Sequence, residues 1–143
     1  MPATYNAPLL AAAALSAVAA ALHVGIIIGG PNWYRFFGAG ERLASAAAAG
    51  RWFPAIVTLG IAAVLASWSA YALSGAGVIG PLPWLKAALV CITAVYVVRG
   101  LAFVPFLLGD RSKLTPFVIW SSLICLGFGL VHLFGLVQVW RTL

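Results

Sequence analysis

The sequence predicts an all-α integral membrane protein. The expected form is an antiparallel bundle of four transmembrane helices, a single domain over 1–143, with a short interfacial helical segment between helices 1 and 2. Three observations carry this. Of the 143 residues, 64% are hydrophobic and only 7% charged, where soluble domains carry roughly a quarter charged residues; a chain of this size then lacks the polar surface to cover a water-facing globule. Four apolar runs, about 8–30, 53–75, 85–108 and 116–139, each approach the ~20 residues that cross ~30 Å of hydrocarbon as a helix. Their Ala- and Leu-rich texture lacks the alternation of barrel strands, and only a helix then satisfies its own backbone in lipid.

The first run is longer than the ~7–15 residues of a signal-peptide core, and no Lys or Arg precedes it. It is expected to remain as helix 1, although Ala19-Ala20-Ala21 imitates a cleavage site. The next stretch reads PNWYRFFGAGERLASAAAAGR. Asn32 is expected to cap a short aromatic turn over 33–37, and Gly38-Ala39-Gly40 to break it. Residues 41–49 then read as a second short helix, with Glu41 in the first turn where its charge suits the helix dipole and Gly50 as the stop. The stretch is too apolar for free solvation, so it should lie in the membrane interface or dip toward the bundle.

Helix 2 carries Trp68 and Tyr71 late in its course, and a Gly- and Pro-rich turn follows it. Helix 3 carries Arg99, with Tyr96 one turn earlier on the same face. Gly100 thins that helix, and Pro105 frees the carbonyl of Leu101. On helix 4, Ser122, Cys125, Gly129 and His132 share one face of mostly small residues, which suits a close helix neighbour. Cys91 and Cys125 differ in depth by roughly 10–15 Å at 1.5 Å per residue, too far for a disulfide.

Orientation follows from the basic residues. Arg35, Arg42 and Arg51 lie between helices 1 and 2, and Arg111 and Lys113 between helices 3 and 4, against Lys86 and Arg141 on the other side. The positive-inside rule places loops 31–52 and 109–115 in the cytoplasm and both termini outside. Trp33, Tyr34, Trp52, Trp84 and Trp140 fall at helix ends, as interfacial anchors do. The net charge of +6 therefore points to anionic lipid headgroups, not to nucleic acid.

Arg99 is the anomaly. A guanidinium within an apolar run is a permanent cation in hydrocarbon, and the chain has only two acids, Glu41 and Asp110. Asp110, eleven residues along, is about 16 Å away. Rise per residue puts Arg99 roughly 3 Å and His23 roughly 6 Å to the cytoplasmic side of centre. These two, with Glu41 and Tyr34, form an inner tier. His132, roughly 6 Å to the outer side, forms a second tier with Tyr71, Trp68 and Gln138. The candidate ligand-binding set is Arg99, His23, Tyr96, Glu41 and Tyr34, in which Arg99 meets either Glu41 or an external anion.

The function expected from this set is binding or transport of a small amphipathic or anionic molecule, lipid-like ones included. One alternative is a membrane enzyme on a lipid-soluble substrate, with His and Arg in acid–base roles. Another is an accessory or structural subunit of a membrane complex, in which Arg99–Glu41 is a fold-specifying pair. No cofactor is expected. Metal-ligand spacings, a phosphate loop and a dinucleotide fingerprint are absent from the sequence, and haem held by both histidines is disfavoured by their roughly 12 Å difference in depth. Expected partners are membrane lipids and, because one chain encloses little volume behind several small-residue faces, a second copy or another membrane subunit.

Overall fold

The computed structural model describes residues 5–143. Every regular element among them is helical: α1 (Ala7–Phe36), α2 (Glu41–Ala48), α3 (Phe53–Gly75), α4 (Leu85–Leu101), α5 (Val104–Leu108) and α6 (Pro116–Val139), with a 3-10 turn at Arg111–Lys113. Among the described residues, four stretches are long and apolar enough to cross a membrane, Ala7–Phe36, Phe53–Gly75, Leu85–Leu108 and Pro116–Val139, so the chain is a multi-pass membrane protein. Side-chain size is sorted accordingly. Ala12, Ala13, Ala44, Ala72, Ser16 and Ser122 are buried, while Ile28, Phe36 and Leu108 are each 83% exposed. Small residues let helix backbones approach, and large apolar ones face lipid at no cost.

Two helices depart from the expected runs. α1 continues past residue 30 through a kink at Gly30, whose φ of 67° and ψ of −153° lie outside the helical region in territory open to glycine. Pro31 follows in the first turn of the resumed helix, where its missing N–H is no loss. Asn32 thus lies inside this turn and Gly30 takes the capping position expected of it. The 85–108 run is likewise not one helix. α4 stops at Leu101, where the Ala102 N–H reaches back three residues to Arg99 (3.3 Å), and α5 restarts with Pro105 in its first turn. Pro105 offers no N–H to the Leu101 carbonyl and crowds it sterically, which is sufficient to break the helix. α4 is 17 residues long, about 25 Å at 1.5 Å per residue.

The chain groups into two compact units, one of Ser16–Ser67, the other of Trp68–Leu143 with the chain up to Leu15. In the second, Asn6 caps α1 by accepting from the Leu9 N–H (2.9 Å) and donates from Nδ2 to Gln138 Oε1 (2.7 Å). Its own N–H donates to Ala76 O (3.1 Å), and Ser69 Oγ donates to Ala13 O (2.8 Å). Residues 6 and 13 therefore meet 76 and 69, so the start of α1 and the end of α3 run in opposite directions. Leu9, Ala76, Leu89 and Leu136 form the core there. α4 and α6 pair along a close seam: a Cβ at Gly100 would stand 2.6 Å from Leu126 Cα, and one at Gly129 would stand 2.9 Å from Val97 N. Lys86 Nζ donates to Trp140 O (2.9 Å), so partners on α6 descend as α4 ascends and this pair is antiparallel.

In the other unit, α1 and α2 each end in a glycine at positive φ, Gly38 (68°) and Gly50 (69°). In both, the N–H of the next residue closes a six-residue ring, Ala39 to Tyr34 O and Arg51 to Ala46 O, which satisfies helix-terminal carbonyls. These stops fold α2 back so that Ile26, Tyr34 and Ala44 form a small buried cluster.

Gly100→Ala should force α4 and α6 apart and destabilise the protein by about 1–3 kcal/mol. Gly60→Ala, with open space around its Cβ, should be neutral or stabilising by up to about 1 kcal/mol. Reversible unfolding in mixed micelles distinguishes the two, and equal effects would contradict a tight seam.

Candidate functional site

Arg99 stands in the last turn of α4, where a cation is favoured by the helix dipole. It is exposed. Nη1 donates to Ser122 Oγ and Nη2 to Ser121 Oγ, each at 3.0 Å. Ser122 is fully buried, and Ser121 Oγ also leans on Val118 O (3.3 Å). The serines are the sixth and seventh residues of α6 (Pro116–Val139), about 8 Å from its start, whereas Gly100, next to Arg99, stands against Leu126 near the middle of that helix; the guanidinium therefore reaches from a central backbone position toward the start of α6.

Each of the two acids is engaged by another cation. Glu41 accepts two close bonds from Arg35, Nε to Oε2 (3.0 Å) and Nη2 to Oε1 (2.9 Å), and a third from Ser45 Oγ (3.0 Å). These bonds, Arg35 first and Ser45 second, hold its carboxyl below the ordinary glutamate value. The Arg99–Glu41 pairing is therefore replaced by Arg35–Glu41. Asp110 caps the 3-10 turn through the Ser112 hydroxyl and N–H, contacts that lower its carboxyl as well, and it lies 3.8 Å from Lys113. These are the two side-chain ion pairs among the described residues. Arg99 is held by neutral hydroxyls.

Tyr96 does not accompany Arg99. It is buried and its ring packs against Trp68 (5.0 Å), His132 (5.1 Å) and Phe128 (5.5 Å). It thus joins residues assigned from sequence to the other tier. Helical side chains tilt toward their own N-terminus. On antiparallel α4 and α6, Tyr96 and His132 therefore lean toward one another and close a gap of a few ångströms in Cα level. His132 is fully buried. Its Nδ1 lies 2.9 Å from Phe128 O, so this nitrogen must carry the proton, while Nε2 has no protein partner. His23, half-buried, repeats the pattern, with Nδ1 2.7 Å from Ala19 O. Each imidazole is secured by its own helix.

The remaining members serve the scaffold. Tyr34 is 2% exposed and packs with Ile26 and Ala44, its hydroxyl unpaired. Tyr71 donates to Pro83 O (3.2 Å) and so ties the α3–α4 connector. Gln138 serves Asn6. Among the described residues, no three His, Cys, Asp or Glu side chains are placed to hold a metal ion. What the sequence reading missed was the Ser121-Ser122 couplet, two adjacent hydroxyls one helix away from an arginine, and the return of Arg35 to Glu41 across the glycine break.

Because the folded Glu41 carboxyl lies below 4.5, the contribution of its pair is complete above pH 4.5 and fades as pH falls through the folded value. Hydrogen exchange of α2 amides, corrected for intrinsic rate, should accelerate below pH 4.5. Glu41→Gln should exchange fast throughout; a flat profile in the parent protein would count against the pair. For His132, nitrogen-15 spectra at neutral pH should show the proton on Nδ1, and a proton on Nε2 would refute the bond to Phe128. No protein-family model, curated protein or solved structure matches this chain.

Proposed function

We propose that this membrane protein binds or transports a small anionic or amphipathic molecule at Arg99. The observation that carries the reading is a guanidinium whose protein partners are the hydroxyls of Ser121 and Ser122, while both acids serve other cations. Two of its five N–H groups meet the serines. The others, on an exposed side chain, offer the flat bidentate edge that fits a carboxylate, sulfate or phosphate. The serines set the plane of the fork and leave its charge uncompensated. In this reading loops 31–52 and 109–115 face the cytoplasm and both termini lie outside, so Arg99 opens near the cytoplasmic end of α4.

Isothermal titration of the purified protein with dodecyl phosphate tests this against dodecyl maltoside as the uncharged control. Arg99→Gln should weaken binding by about tenfold or more, the scale of one charge-assisted hydrogen bond. Arg99→Lys should fall between, and Ser121→Ala with Ser122→Ala should retain binding with a smaller loss. Equal affinity of Arg99→Gln and the parent protein would refute the site.

A further inference from the structure

The unit of Ser16–Ser67 contains a second concentration of positive charge. α2 and the start of α3 enclose a cleft of about 540 Å³, lined by Arg42, Ser45, Ala46, Ala49, Arg51 and Phe53 among others. Within α2 and its end, residues 42, 45, 46 and 49 recur at helical spacing and so form one stripe. The Gly50 stop then brings Arg51 and Phe53 to the same space. The opposite side of α2 is committed: Ala44 is buried with Tyr34 and Ile26, with Ala47 packed against them, while Leu43 touches both this cluster and the cleft.

The cleft is basic without relief. This unit has three arginines and one acid, Arg35, Arg42, Arg51 and Glu41, and Arg35 consumes the acid. Ser45 spends its hydroxyl proton on Glu41 as well. The remaining donors facing the cleft are the two exposed guanidinium groups, over a floor of alanines small enough to admit a phosphate. Position selects the occupant. α2 lies between the membrane-crossing stretches Ala7–Phe36 and Phe53–Gly75, and Phe53, at the cleft's edge, is the first residue of the second. Trp52, 80% exposed, is an aromatic of the kind that anchors at headgroup level.

We infer that this cleft is a binding site for the phosphate headgroup of an anionic glycerophospholipid, clamped by Arg42 and Arg51 with its acyl chains alongside Phe53. This is a defined site, distinct from the diffuse attraction that any basic loop exerts on an anionic leaflet. It uses no residue of the Arg99 site.

The test is native mass spectrometry of the full-length protein, released from vesicles of phosphatidylcholine with phosphatidylglycerol, scoring the phosphatidylglycerol retained. Each of Arg42→Gln and Arg51→Gln should lower retention by about fivefold, and the pair by about 25-fold. Arg111→Gln with Lys113→Gln removes the same charge elsewhere and should leave retention unchanged. Ala46→Trp fills the cleft with every charge intact and should abolish retention; helicity and elution volume verify its fold. Arg99→Gln should have no effect, so this site and the Arg99 site stand or fall separately. Equal losses in the Arg111 and Lys113 control, full retention in Ala46→Trp, or displacement of the lipid by inorganic phosphate would each overturn the proposal.

Discussion

The close approach of α4 and α6 governs most of what is chemically notable in this protein. Gly100 lies against the backbone of Leu126, and Gly129 against that of Val97. In hydrocarbon, helices gain little from burying apolar surface, because lipid is equally apolar; close van der Waals packing and interhelical hydrogen bonds hold them instead. The seam provides both. It brings Ser121 and Ser122 beneath the Arg99 fork, and it sets His132 against Tyr96. A wider spacing would lengthen the 3.0 Å arginine–serine bonds beyond useful range, leaving the guanidinium without support from the protein.

Scarcity of acid is the second constraint. Eight basic residues share two carboxylates, and both lie in connectors, each beside its own cation. The Arg35–Glu41 pair spans six residues across the Gly38 stop, so it is a local clasp on the reversal between α1 and α2. With both anions spent locally, the charges of Arg42, Arg51 and Arg99 have no side-chain carboxylate to meet.

The helical class and the four spans were legible because they depend on composition and run length, which lipid imposes directly. The stops at Gly38 and Gly50 were equally legible, since a positive φ selects glycine. The break before Pro105 was half legible. The freed Leu101 carbonyl follows from the missing N–H, but the full interruption at Ala102 and Phe103 does not. Partner choice was least legible. Tyr96 and Arg99 sit one turn apart, yet one is buried among aromatic rings and the other is exposed. Helical spacing alone does not separate them: Tyr96 leans toward the α4 N-terminus and meets His132, while the longer Arg99 side chain reaches the opposite way to Ser121 and Ser122.

The histidines show why a polar residue in a span need not mark chemistry. An imidazole buried in a helix has an acceptor within reach, the carbonyl four residues back. Both His23 and His132 point Nδ1 at it. The bond fixes one nitrogen as donor and leaves the other bare. For His132 that bare nitrogen is enclosed by Tyr96 and its aromatic neighbours, with the side chain wholly buried, so it has no open path to a solute. Arg99 is the converse. Five donors on a rigid plane exceed what two serine hydroxyls absorb, and its exposure leaves the surplus accessible. A nitrogen committed to its own helix and a set of donors left in surplus are the two outcomes that distinguish His132 from Arg99.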